Sequence, residues 1–296
     1  ICGYHGWHDW YLAANINSKN SLKNHLLEGL ETNGVPKSLK KSVFTFMYND
    51  FKEFKKLVDK NDIGVVIMEV TRNFGPKNNF LKKIVNYCKK KKIILIFDEC
   101  SSGFRETFGG IHALYEVEPD IAMFGKALGN GYAINAVIGR KKIMEKAQNS
   151  FISSTFWTER IGPTAAIETL KVMEEIESWK IITNIGKNIT TSWLDIGKKY
   201  DLDIKTGGIP AFANFTINHK DWPKIKTFIT QEMLKKSILA SNSVYACISH
   251  SDKIIEKYFK ELEIVFEKIA KIINSNKNIG EYLNSEVCHT GFQRLN

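Results

Sequence analysis

The stretch Ile94-Leu95-Ile96-Phe97-Asp98-Glu99-Cys100-Ser101-Ser102-Gly103-Phe104-Arg105 decides the fold. An unbroken apolar run that ends in two acids reads as a parallel strand buried on both faces, carrying a carboxylate to the carboxyl edge of a sheet. Ligands collect at that edge in α/β proteins. Downstream, Ile121-Ala122-Met123-Phe124 reads as a second strand and delivers one lysine, Lys126, with glycines at 125, 129 and 131 leaving room around it. Upstream, Gly64-Val65-Val66-Ile67-Met68-Glu69 is a third buried strand, again ending in an acid. Between these two upstream strands Leu81, Ile84, Val85 and Cys88 recur at helical spacing, so Phe80 to Lys91 covers one face of the sheet. This strand, helix, strand rhythm implies right-handed crossovers, and it continues through Ile96, Ile121 and Ala136-Val137-Ile138-Gly139. The fold class is therefore α/β, a mostly parallel sheet flanked by helices.

Further out, Phe51 to Asp59 reads as a short amphipathic helix, and residues 15–49, polar and holding Gly34 and Pro36, as a loop excursion. Past a long helix from Ile161 to about Ile176 and another from Trp179 to about Lys199, the texture changes. Pro210 to Ile217 alternates as a half-buried strand, Val244 to Ile248 is strand-like, and helices are expected at Trp222 to Lys236 and Asp252 to Ile273. That is a compact α+β unit, so the expected domains are 1–180 and 181–296.

The bulk numbers fit a globular chain: 296 residues, 43% hydrophobic and 25% charged. A net charge of +10 raises acidic partners, but the lysines are spread along helical segments. The one compact run, Lys89 to Lys92, stands at a helix end, with no aromatic-interleaved basic motif beside it, so nucleic acid is not expected as a partner. Five cysteines, Cys2, Cys88, Cys100, Cys247 and Cys288, have no C-x-x-C spacing and read as reduced thiols of a cytoplasmic protein, with no metal site. No apolar run reaches the ~20 residues of a membrane span.

Three motifs, Tyr4-His5-Gly6-Trp7-His8-Asp9, Asp98 to Arg105, and Phe124-Gly125-Lys126-Ala127-Leu128-Gly129-Asn130-Gly131-Tyr132, stand in the order and spacing of one family. The chain resembles the class III aminotransferases, and within them the glutamate-1-semialdehyde aminomutase branch. The resemblance covers Tyr4 to about Leu170 by motif and continues beyond only as pattern. It implies a fold-type I transferase dependent on pyridoxal phosphate, with a C-terminal α+β small domain. An acid and an amine on neighbouring strand ends suit that cofactor, which has a basic ring nitrogen and an aldehyde. Because the chain opens on Ile1-Cys2-Gly3, mid-motif, it is expected to be a fragment lacking the family's glycine and serine phosphate cup.

The resemblance also assigns roles. Asp98 partners the ring nitrogen, since a close negative charge favours the protonated ring. The bland alternative is a helix cap or salt-bridge partner. Lys126 forms the Schiff base and carries the proton, with an ammonium partly removed from water; otherwise it is a solvated loop lysine. Tyr4 stacks on the ring, or simply packs its aromatic on the core. Cys100 packs on the opposite ring face as a small hydrophobe. Glu69 and Asn73 line the pocket near the ring hydroxyl, or else only tie the loop together, and Val70 departs from the proline usual there. Thr155 donates to the cofactor phosphate of a neighbouring subunit, which implies a homodimer; Thr158 nearby is placed to cap the following helix. His5 reads as structural, with no evident proton partner, and His250, His289 and Arg294 could face the substrate opening.

The implied activity is amino-group transfer between a small-molecule amino donor and a carbonyl acceptor. The intramolecular version, an aminomutase, uses the same residues. Trp157-Thr158-Glu159-Arg160 departs from the Ser-Gly-Asn-Pro of the aminomutase, and the Ser241 to Tyr245 loop lacks its glutamate. A third reading is a catalytically incomplete binding module of the same fold.

Overall fold

The computed structural model describes residues 3–289 except 7, 19–20, 23–30, 72, 153–155 and 157. It divides into two compact units, Ile1–Trp179 and Lys180–Thr290.

The first unit opens with two single-turn helices, α1 (Asp9–Leu12) and α2 (Ala14–Asn17), then α3 (Phe51–Lys60). Next come β1 (Val65–Glu69), α4 (Phe80–Lys91), β2 (Ile94–Asp98), β3 (Ile121–Phe124) and β4 (Ala136–Gly139). The unit ends in α5 (Lys141–Met144) and α6 (Ile161–Ile176). The four strands form one sheet in the order β1-β2-β3-β4. β1, β2 and β3 are parallel, with Glu69 opposite Asp98 and Asp98 opposite Met123. Val66, Met68, Leu95 and Phe97, alternating along their strands, are buried, whereas Ile67, Ile94 and Ile96 on the opposite face are half-buried and Val65 is exposed, so the strands expected to be buried on both faces are fully buried on one.

α4 lays Phe80, Leu81, Ile84, Val85 and Cys88 inward, and burial pushes the Cys88 thiol up to about 12. The helix stops at Lys92, a left-handed cap with φ 58°, after three lysines in its last turn. Cations there meet the negative end of the helix dipole. Lys91 also pairs with Asp59 of α3, which Lys55 and Tyr87 hold as well. The basic run is thus part of a helix end and an interhelical tie.

Two features differ from the expected crossover rhythm. β4 runs antiparallel to β3, pairing Phe124 with Ala136. The connection 125–135 is too short for the crossover that parallel strands need. Between β2 and β3, where Gly103, Gly109 and Gly110 break any helical run, the connection holds only a 3-10 helix, Ile111–Tyr115.

The second unit begins within α7 (Ser178–Lys199) and continues with β5 (Ile204–Ile209), β6 (Phe212–Ile217), α8 (Trp222–Leu234), β7 (Ser243–Tyr245) and α9 (Asp252–Asn274). Its three strands are antiparallel in the order β5-β6-β7. β7 is shorter than the expected Val244 to Ile248. β6 buries Phe215 and Ile217 against Trp193 of α7, Phe228 of α8 and Phe266 of α9, a core separate from that of the first unit. The buried Trp193 indole donates to the hydroxyl of half-buried Tyr258 at 2.9 Å, which spares the indole N–H an unsatisfied burial.

Candidate active site

The parallel pairing sets Glu69, Asp98 and the lead-in to Lys126 along one sheet edge. Asp98 is 7% exposed and uses both oxygens. Oδ1 accepts the backbone N–H of Cys100 at 3.0 Å, and Oδ2 stands 2.9 Å from His5 Nδ1. A buried carboxylate needs such partners, because removal from water without them costs several kcal/mol. His5 was expected to lack a proton partner. The structure corrects this: the partner lies 93 residues away in sequence, beyond the reach of local reading.

Lys126 follows β3 at the start of a 3-10 turn, Lys126–Leu128, with a left-handed φ of 46°. A non-glycine residue held there stores backbone strain, a pattern concentrated at functional sites. Its Nζ donates to Ser101 Oγ at 2.5 Å. Ser101 was not singled out by sequence, although it stands in the same motif as Asp98. Contrary to expectation the lysine side chain is exposed, since the glycines at 125, 129 and 131 have no side chains to cover it.

Half-buried Cys100 reports the convergence. Burial pushes its thiol up, the Lys126 amine pulls it down, and Asp98 and Glu69 push it further up. All four groups therefore share one electrostatic neighbourhood. A thiol so placed is a weak nucleophile and behaves as a small hydrophobe. Gly125 lets Cys100 and Asn135 pack directly on the backbone: a Cβ there would stand 2.7 Å from Cys100 Sγ and 2.4 Å from Asn135 Oδ1.

Glu99 faces the other side of the sheet, as strand alternation requires. Its buried carboxylate accepts from Ser102 Oγ at 2.5 Å and the His112 N–H at 3.0 Å, and it lies 2.8 Å from His112 Nδ1. This cluster ties the 3-10 helix to the strand end.

The structure thus brings Asp98, Cys100, Lys126 and Glu69 together. Asn73 stands half-buried in the turn after β1. Tyr4 is half-buried and packs against Tyr11, Ala14 and Leu22, beside the His5 that touches Asp98. Thr155 and Arg294 lie outside the described residues. Among the described residues no group of three or more His, Cys, Asp or Glu side chains could hold a metal ion, and no helix is long and apolar enough to cross a membrane.

Buried parallel strands flanked by helices, with an acid and an amine at neighbouring strand ends, define an α/β fold of the pyridoxal-phosphate transferase type. Its solved neighbours include Sphingopyxis sp. MTA144 FumI protein, at TM-score 0.80 and 20% identity over 92% of this chain and 64% of that one. An omega-transaminase from Sphaerobacter thermophilus gives TM-score 0.76 at 16% identity, over 90% of this chain and 67% of that one. The chain belongs to the class III aminotransferase family, whose pattern it matches over residues 2–238. Curated relatives include 3-aminobutyryl-CoA aminotransferase of Cloacimonas acidaminovorans, 27% identical over 91% of this chain and 64% of the relative. Glutamate-1-semialdehyde 2,1-aminomutase of Methanocaldococcus jannaschii is 29% identical over 89% of this chain and 66% of the relative. The chain therefore spans about two thirds of the length of these two relatives.

Proposed function

We propose that this chain carries the cofactor-binding centre of a pyridoxal-phosphate-dependent aminotransferase that moves an amino group from a small amino donor to a carbonyl acceptor. The observation that carries the reading is the placement of buried Asp98 and exposed Lys126 just past the ends of adjacent parallel strands, with Lys126 Nζ bonded to Ser101 Oγ of the segment that follows Asp98. The donor set fits the cofactor: a fixed carboxylate suits a ring nitrogen, and a primary amine suits an aldehyde. When bound, pyridoxal phosphate supplies an electron-withdrawing ring and a carbonyl for the substrate amine.

The chain's own residues do the rest. Asp98, anchored through both oxygens, presents negative charge to the ring nitrogen and favours its protonated form. Lys126 would hold the cofactor through Nζ and would hold or move a proton at that atom, with Ser101 Oγ as the acceptor that orients the amine. Tyr4, Cys100, Glu69 and Asn73 would line the cofactor ring, and Thr155 would serve the phosphate in a homodimer, the roles that the family resemblance implies. The free thiols Cys88, Cys100, Cys247 and Cys288 support a reducing compartment, the cytoplasm.

Adding pyridoxal phosphate to the protein is expected to give a visible band, and borohydride reduction to leave the cofactor on the Lys126 peptide. Lys126→Ala loses both. A wild-type protein that stays colourless sinks the reading and favours the binding module. Intramolecular transfer is the second reading, favoured by the aminomutase relatives. A product isomeric with its substrate identifies it, whereas a keto product with a separate acceptor identifies the transferase.

A further inference from the structure

We propose that the outward face of α3 and α4 is a docking surface for the acidic surface of another protein. The net charge of +10 has one source in the chain. Residues 37–92 hold fifteen Lys or Arg against five Asp or Glu, whereas the other 240 residues hold 27 of each and are neutral. Lysines recur along helices elsewhere, but acids match them there in number. All fourteen lysines of 37–92 are exposed, and one of its five acids, Glu69, is buried at the site. Folding gathers the surplus further. α3 carries Lys52, Lys55, Lys56 and Lys60, and α4 carries Lys82, Lys83, Lys89, Lys90 and Lys91 with Lys92 as its cap. The two helices touch: the Phe51 and Phe54 rings meet Tyr87 at 5.8 and 6.1 Å between centroids, and Lys91 reaches Asp59 at 2.7 Å. Ten cations on two touching helices repel one another, and an acidic partner relieves that repulsion while being steered to the face.

The chemistry of the face selects protein among the polyanions. Its described cations are all lysines, compact hydrated charges, whereas paired phosphate oxygens are matched by the arginine fork. Neither helix exposes a large apolar side chain, so nothing is offered to stack on bases or to enter a bilayer. Exposed Glu53 and Asp59 interrupt the lysines and repel a continuous phosphate backbone, but fit between the separate carboxylates of a protein surface. Single carboxylates are already held this way: Asp59 takes Lys55 and Lys91, and Glu116 takes Lys82, each at 2.7 Å. Lys52, Lys56, Lys83 and Lys90 make no ion pair among the described residues and are left for a partner. The end of α4 leads into β2, and Asp98 lies at the far end of that strand, roughly 15 Å on. A partner on the lysines therefore leaves the cofactor centre open, and the proposal does not depend on the functional reading above.

The test is titration of labelled polyglutamate into the whole chain, followed by fluorescence anisotropy at low and at near-physiological salt. One variant replaces Lys52, Lys56, Lys83 and Lys90 with Gln, and a second, of the same net charge, replaces Lys205, Lys253, Lys257 and Lys260 of the other unit. Wild type is expected to bind at low salt and to weaken as salt rises. The first variant loses about tenfold in affinity, whereas the second stays within about twofold of wild type. Equal loss in both variants reduces the effect to net charge and overturns the proposal, as does a wild type that binds nothing at low salt. Duplex DNA or phosphatidylserine vesicles held more tightly than polyglutamate, with that preference lost in the first variant, assign the face to phosphate and overturn it as well.

Discussion

Asp98 and Glu99 are consecutive in the chain and serve opposite sides of the sheet, one toward His5, the other toward Ser102 and His112. The second acid holds structure together. Glu99→Ala strands the His112 N–H and the Ser102 hydroxyl in a buried setting, and the expected loss is about 3 kcal/mol. A urea midpoint that falls with an unchanged slope checks it. A loss under about 0.5 kcal/mol would contradict the tie described here. Sequence alone shows that two acids end a buried strand and, by the period of two, that they face apart. It does not say which side holds the chemistry, because that depends on His5 and His112, whose contacts with these acids are not local. The motif containing Asp98 was legible for the same reason that the pairing with His5 was not: one is contiguous, the other is made only by folding.

Helices were the most legible elements. Phe80 to Lys91 has the structure's bounds, since its apolar residues recur every three or four positions and its end is marked by a lysine run. Strand direction was less legible: nothing in Ala136-Val137-Ile138-Gly139 distinguishes an antiparallel edge from another parallel strand, and only the brevity of 125–135 does. In the second unit a carboxylate couples two helices. Glu232 of α8 bonds Lys235 at 2.5 Å and reaches Lys268 of α9 at 3.0 Å. Burial works to raise its pKa, yet the two lysines and Gln231 together hold it at about 2, below the ordinary 4.5. A carboxyl held low stabilises the fold above its unfolded value, and that contribution drains away as pH falls from about 4.5 toward about 2. Because both lysines are half exposed, Glu232→Gln is expected to cost only about 1 kcal/mol at pH 7. Its loss of stability over the acid range should be shallower than that of wild type. Parallel acid limbs for the two proteins in thermal melts would refute the linkage.

The second unit has a core of its own, built on Trp193, Phe215, Leu262 and Phe266, whose members among the described residues all belong to that unit. Residues 178–289 expressed alone are therefore expected to unfold in one cooperative thermal transition. A fragment lacking fixed near-ultraviolet dichroism would show instead that this core needs the rest of the chain. The +10 net charge, spread along helices and partly spent on ties such as Lys91 to Asp59, sets no basic stripe in the sequence. One feature of the first unit reaches furthest. Asp98 sits opposite Met123 in the β2–β3 pairing, and Lys126 is counted off from that partner. A slip of one residue would swing the acid to the far face and carry the amine about 3 Å along. The hydrogen-bonded ladder is thus a vernier for the chemistry: capture of a coloured heterocycle certifies that the strands have found their proper alignment, and a mispaired chain would stay pale even with every reactive group intact.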